Sequence, residues 1–485
     1  MSPSYAVSTA DLWSIAPEIW LAGAGALLLL LDAFLPALKR AFTPLSLVAT
    51  LGAGWLAWTS VPTGPSFHGT LDANAITCAL TLIVLLAASL ALLASDGYLR
   101  REGLLSGEYH ALLLWSSAGM TLMLRANELL TVFIALELLS ICLYALAGYH
   151  RRIAVAAEAA IKYFLMGAFV SAFVLLGIAL LYGETGSSRI PEIARALAEG
   201  KGSLALEALG VVLLIAGFGF KMSLVPFHAW SPDTYQGAPT PFVAFLSVAP
   251  KAASVAVLIK IVAAASASAP LAPKWSTVVS LLAVLSMLGG NLLALVQRDL
   301  KRMLAYSGVA HMGYLLIPLA SLNRDSWVSV LVYLFAYALM NAGAFAVATL
   351  LFDKPGEQHL ISDLSGWGYR FPVKSACLAI CMLSLGGIPP TLGFLGKYLV
   401  FLHAVENHQI WLAAVGVLAS LVGVFYYLRV VYVLYMKDEV KAPVAKAGDF
   451  LGNLSAGLAA LLTLVLGLWP GPVLGWVADA VARLG

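Results

Sequence analysis

Residues 220–251 read FKMSLVPFHAWSPDTYQGAPTPFVAFLSVAPK, which sets Lys221 and Lys251 inside strongly apolar runs, each within a few residues of a proline, Pro226 or Pro250. On the translocon insertion scale a lysine at the centre of a membrane helix costs about 2.5–3.5 kcal/mol. A charge in such a place is a functional candidate by default. Lys162, in AAIKYFLMGAF, and Lys397, in GGIPPTLGFLGKY, stand in similar surroundings, and Glu137 is the acid deep in LLTVFIALELLSICLYAL. Four buried lysines with one buried carboxylate suggest a path for protons or ions.

Composition carries the same message over the whole chain. Of 485 residues, 61% are hydrophobic and 11% charged, against roughly 25% charged in an ordinary soluble protein. Runs of about 20 apolar residues, each enough to cross a hydrocarbon core as a helix, recur from end to end. The chain therefore reads as an all-α integral membrane protein, and its longest polar stretches, 183–207 and 352–374, are too short to bury cores of their own. The first 13 residues hold no lysine or arginine, so the basic start of a cleavable signal is missing and the first helix is expected to stay attached. The net charge of +3 is dispersed, which argues against nucleic acid as a partner. Of the four cysteines, only Cys377 and Cys381 are close in sequence, too few for an iron–sulfur cluster. The GAG run at 23–25 has no strand before it, so it is not read as a nucleotide loop.

Counting apolar runs gives about 14 spans. Lysines and arginines gather in alternate loops, at 39–40, 100–101, 151–152, 298–302, 354–374 and 437–446, about twice as many as on the other side. The positive-inside rule then puts both termini outside, on the periplasmic side of a bacterial inner membrane. Spans 4–8 and 9–13 each carry proline in their fourth member, Pro226 in one and Pro389 with Pro390 in the other. An odd-numbered unit re-enters from the opposite face, which predicts two inverted five-helix repeats with a broken helix in each. The expected organisation is residues 1–104 as three leading helices, 105–262 and 275–436 as the repeats, and 450–485 as a closing helix.

Proline deprives the carbonyl four residues earlier of its helical partner, so the carbonyls of Met222, Leu246, Leu385 and Gly386 are expected to be free. In lipid, such backbone survives only where protein or a wet cavity satisfies it. A buried lysine has two opposing influences on its proton, desolvation against it and a nearby carboxylate for it, of comparable size. With a movable acid in reach it can hold or release a proton near neutrality. Glu137 is the expected partner of Lys221 or Lys162, while Lys162, three turns beyond the basic 150–152 segment, could instead snorkel to the surface. His228 in PFHAW and His311 in SGVAHMGY can relay protons near pH 7. A lone histidine is as readily a satisfied core residue, and Asp233 reads as a turn or cap.

These stretches, together with RDLKRMLAYSGVAHMGY, resemble the antiporter-like membrane subunits of respiratory complex I, the proton-pumping NADH:quinone oxidoreductase, and most strongly the subunit N branch. Sister subunits L and M share a PDxYxxAPTP-like core but diverge from LSVAPK onward. The likeness covers about residues 105–435, with SGVAH standing where the family often has SSIAH. It implies a 14-helix fold and assigns the buried glutamate to Glu137, the broken-helix lysine to Lys221, the central relay lysine to Lys251 and the distal lysine to Lys397. It also implies that this chain binds no cofactor itself, while the parent complex uses NADH, FMN, iron–sulfur clusters and quinone in neighbouring membrane and peripheral subunits. A subunit of a cation/proton antiporter or a stand-alone secondary transporter is the alternative on the same fold. A purely structural scaffold would survive neutralisation of the buried charges.

Overall fold

The computed structural model describes residues 7–60, 64–321, 326–352, 359–438 and 449–482. After a short N-terminal helix α1 (Thr9–Ser14) come α2 (Ala16–Phe34) and α3 (Phe42–Ser60), a two-stranded hairpin (Gly64–Ser66 with Leu71–Ala73), then α4 (Ala75–Arg101), α5 (Gly107–Arg125), α6 (Leu129–Ala147), α7 (Ala154–Thr185), α8 (Ile190–Glu199) and α9 (Leu204–Met222). The centre holds α10 (Trp230–Gly237), α11 (Thr240–Leu246) and α12 (Ala249–Ala265). There follow α13 (Ala272–Leu295), α14 (Leu300–Ala320), α15 (Ser326–Leu351), α16 (Trp367–Arg370), α17 (Pro372–Gly386), α18 (Leu392–Glu406), α19 (Ile410–Met436), α20 (Phe450–Leu468) and α21 (Gly471–Ala482).

Twelve helical segments among the described residues are long and apolar enough to cross a membrane. With α5 and the broken pair α17/α18 they make the fourteen crossings expected. α4, α11, α12, α14 and α15 are buried on nearly every face, as suits helices that are apolar all round. α2, α3, α7, α13 and α19 expose Leu27, Trp55, Phe169, Leu292 and Phe425, an apolar surface suited to lipid.

The inverted repeat is written in hydrogen bonds. Between the start of α6 and the segment after α7, Leu129 N–H donates to the Ser188 carbonyl (2.8 Å) and Ile190 N–H to the Asn127 carbonyl (3.0 Å). A constant 171 positions on, Leu300 donates to His359 (2.8 Å) and Ile361 to Arg298 (2.9 Å). Five crossings separate the copies, so they lie on opposite faces. The helix breaks repeat as well, at a constant 164 positions. Ser223 and Leu224 N–H bond back to Phe220 and Gly219, and Gly387 and Ile388 to Ser384 and Leu383. Both breaks turn through the left-handed region, at Ser223 (φ 62°) and Gly387 (φ 78°), and both precede a cis X–Pro bond, Val225–Pro226 and Pro389–Pro390.

Several cations near the helix ends are wholly or partly buried, among them Lys301 of the 298–302 loop cluster, and the reason is backbone chemistry. The last carbonyls of a helix lack intrahelical partners. Lys260 donates to the carbonyls of Leu124 and Ala126 (2.8 Å each) at the end of α5, and Lys301 to the Ala238 carbonyl (2.8 Å) between α10 and α11. Arg429 serves the end of α13 through Leu295 and Gln297. Arg125 is buried with Glu18 at 3.5 Å and also donates to the Ser14 carbonyl. The buried acids are Glu18, Asp96, Glu207 and Asp299, whereas Glu137, expected to be buried, is partly exposed. Of the cations behind the side-to-side asymmetry, Lys354, Lys441 and Lys446 lie outside the described residues, as do Arg324 and Arg483 on the other side.

α13 and α14 pack backbone against backbone, so that a Cβ at Gly290 would stand 2.5 Å from Ala310 N and one at Gly313 2.7 Å from Met287 N. Gly290→Ala should destabilise the protein by about 1–3 kcal/mol through overpacking, whereas Gly23→Ala, inside α2 with nothing within 4 Å, should not lower stability and by helix propensity should raise it slightly. Thermal unfolding of the purified membrane protein distinguishes the two.

Candidate functional site

Lys221 lies in the last turn of α9, immediately before the first break, and is buried. Its ammonium donates to Ser140 Oγ (2.8 Å) and the Tyr144 hydroxyl (3.4 Å) on α6 and lies over the rings of Tyr144 (5.2 Å) and Tyr163 (5.5 Å). A helix C-terminus carries partial negative charge, which favours a cation there. Glu137 is one turn from Ser140 on α6, is partly exposed, and accepts a hydrogen bond from Ser171 Oγ on α7 (2.5 Å). It forms an ion pair with neither Lys221 nor Lys162. The Ser140 hydroxyl that accepts from Lys221 itself donates to the Leu136 carbonyl, so Glu137 and the ammonium face the same stretch of α6 without a hydrogen bond connecting them.

Lys162 is a surface residue here. It pairs with Glu158 (2.7 Å) and with Asp233 of α10 (2.9 Å), and Asp233 also holds Arg302 (2.7 Å). Asp233 is therefore the hub of an ion-pair network joining α7, α10 and α14, a larger role than turn or cap. Sequence gave no sign of it because its partners come from helices 69 and 71 positions away. His228 lies in the break between α9 and α10, half-buried, its ring facing Tyr306 at 6.2 Å.

Lys251 occupies the centre. It opens α12 just past the interruption at Ser247 and Val248, is fully buried, and its ammonium has no hydrogen-bond partner among the described residues. It lies 5.6 Å from the Tyr235 ring centre. Ser247, four residues before it, accepts from Asn341 Nδ2 (2.7 Å). Tyr235 Oη, Tyr337 Oη and Asn341 Oδ1 are likewise buried with no such partner. On the far side of Tyr337, whose ring is 5.2 Å from that of His311, the imidazole bonds through Nδ1 to the Tyr333 hydroxyl (2.7 Å) and through Nε2 to Tyr427 (3.0 Å).

Lys397 closes the line. From α18 it reaches back across the second break to the carbonyls of Leu385 and Gly386 (3.0 Å each) and to Ser420 Oγ (2.9 Å), over the Tyr314 ring (5.2 Å). Those are the two carbonyls that Pro389 and Pro390 free. The register of the breaks maps Lys221 onto Leu385, so the second repeat supplies its cation from the opposite half-helix.

Against this geometry stand the relatives. A family model described as NADH:quinone oxidoreductase/Mrp antiporter, TM, matches residues 126–423. NADH-quinone oxidoreductase subunit N of Trichlorobacter lovleyi is 40% identical, covering 98% of this chain and 97% of the relative. The chain belongs to the NADH-quinone oxidoreductase subunit N family. The corresponding protein of Myxococcus xanthus is 38% identical over 99% of both. A chain of respiratory complex I from Thermus thermophilus superposes with a TM-score of 0.81 at 33% identity, covering 95% of this chain and 98% of that one. A chain of the Mrp complex from Dietzia, at 20% identity and a TM-score of 0.83, shares the fold.

Replacing Lys397 by methionine leaves two buried carbonyls unpaired, each costing about 1–3 kcal/mol. Lys397→Met should therefore lower the thermal stability clearly. Lys162→Met, at a partly exposed ion pair worth about 0–1 kcal/mol, should barely change it.

Proposed function

We propose that this chain is the proton-translocating subunit N of an NADH:quinone oxidoreductase, moving protons across the membrane as quinone is reduced in neighbouring subunits. The observation that carries this is the row of buried cations, Lys221, Lys251 and Lys397, with His311 between the last two, set in a largely apolar bundle. Buried polar atoms without protein partners between them, including Tyr163 Oη, Ser223 Oγ, Thr234 Oγ1, Tyr235 Oη and Tyr337 Oη, are groups that take in water when a site is roomy enough. Water and hydroxyls then supply the links that side chains alone leave open.

In this reading Glu137, held between α6 and α7 by Ser171, sets the charge of Lys221 by its distance from the ammonium. When the carboxylate swings toward the ammonium the proton is held, and when it returns to Ser171 the proton is released toward Lys251. His311 passes it between its two tyrosines to Lys397. His228 serves the first break, and Lys162 with Asp233 tethers α7 to α10 at the rim. The partners are sister antiporter-like subunits, other membrane and peripheral subunits, and lipid. NADH, FMN, iron–sulfur clusters and quinone belong to those neighbours. The charge asymmetry of the loops supports a bacterial inner membrane with both termini outside.

Membranes carrying Lys221→Ala or Glu137→Ala should lose proton pumping and quinone-dependent NADH oxidation by about a hundredfold, the low end of what a positioned proton-transfer group contributes, with the complex still assembled. Lys201→Ala, at an exposed loop pair with Glu199, should behave as wild type. Unchanged pumping in Lys221→Ala would return that lysine to a packing role.

A further inference from the structure

The 171-residue register between α6 and α14 has a consequence at the centre of the molecule. It maps Leu129 onto Leu300 and therefore Ser140 onto His311 and Glu137 onto Gly308. The helical face that carries a carboxylate and a hydroxyl in the first repeat carries a glycine and an imidazole in the second. Gly308 is buried in the interior of α14, where glycine is destabilising relative to alanine. What occupies its missing side chain is the central lysine. A Cβ at Gly308 would stand 2.7 Å from Lys251 Nζ and 2.9 Å from the Tyr337 hydroxyl, closer than non-bonded carbon and polar atoms can approach.

We propose that Gly308 is a positioning residue for Lys251: the bare backbone of α14 is the seat against which the ammonium lies, one helical turn from His311. The argument rests on the relay reading of Lys251 and adds a residue to it. Two observations favour a seat for the ammonium over ordinary helix packing. Other tight glycines of α13 and α14, Gly290 and Gly313, meet the backbone of the facing helix, whereas Gly308 meets only the functional ends of two side chains. Both ends are also polar atoms with no hydrogen-bond partner among the described residues, so no described side chain or backbone group fixes either in place by such a bond. The notch fixes where they stand relative to the imidazole, through shape alone. Any side chain at position 308 moves the ammonium off α14, and displacement by about 1 Å from a reactive geometry can cost on the order of a hundredfold in rate.

The test uses the whole complex in membranes, with Gly308→Ala, Lys251→Ala and the double variant, scored for assembly, thermal stability and proton pumping. Gly308→Ala should assemble yet pump at least about tenfold more slowly, with the apparent KM for quinone unchanged. Its stability loss should shrink in the Lys251→Ala background, because the nearer of the two atoms it strikes is gone. Normal pumping in Gly308→Ala overturns the proposal, as does a stability loss that adds in full to that of Lys251→Ala, since either makes Gly308 a packing residue. Full pumping in Lys251→Ala alone is a separate failure, that of the relay reading itself.

Discussion

The structure depends on one constraint, that every backbone polar group within a bilayer needs a partner from the protein or from enclosed water. Fourteen crossings meet it mostly with regular helix. Where proline interrupts the helix, side chains answer: at 226 the Ser286 hydroxyl accepts from Val225 N–H and the Trp230 indole serves the Phe220 carbonyl, and at 389–390 a cation does so. Lys397 caps the two carbonyls that its own broken helix releases. Lys260, Lys301 and Arg429 do the same at helix ends elsewhere. Charge that would be prohibitive on the lipid face is thus held inside by backbone that would be prohibitive without it.

That exchange also explains how one fold can place several titratable cations in a row. The two repeats share their loop bridges and break geometry to the residue, yet they differ in the side chains hung on that frame. Lys221 belongs to the half-helix before its break, and Lys397 to the half-helix after. Glu137 and Ser140 give way to Gly308 and His311. Symmetric backbone with asymmetric chemistry gives a line with distinct ends rather than two copies of one site, and a path with distinct ends can have a direction.

Much of this was legible in the sequence. Lysines in apolar runs and prolines at matching places gave the spans, the breaks and the deep positions of Lys221, Lys251 and Lys397, because both signals are local and both are expensive in lipid. The pairing of charges was not legible. Glu137 was expected on a lysine but bonds Ser171, and Lys162 was counted as buried but is held at the rim by Asp233. Such contacts join helices far apart in sequence, where no spacing rule reaches. The buried pair Glu18–Arg125 was missed for a related reason: each residue sits at a helix end, where a charge reads as loop. The tyrosines around His311 were missed because an aromatic residue in an apolar helix reads as core.

The claim that buried groups form one continuous proton path is tested most directly at His311, which stands with its tyrosine partners between the central and distal lysines. The measurement is proton uptake by proteoliposomes containing the assembled complex with His311→Ala, driven by NADH and quinone. A continuous path predicts that pumping falls with all three lysines still in place. Full pumping, with assembly confirmed, would contradict it and leave Lys251 and Lys397 as separate sites.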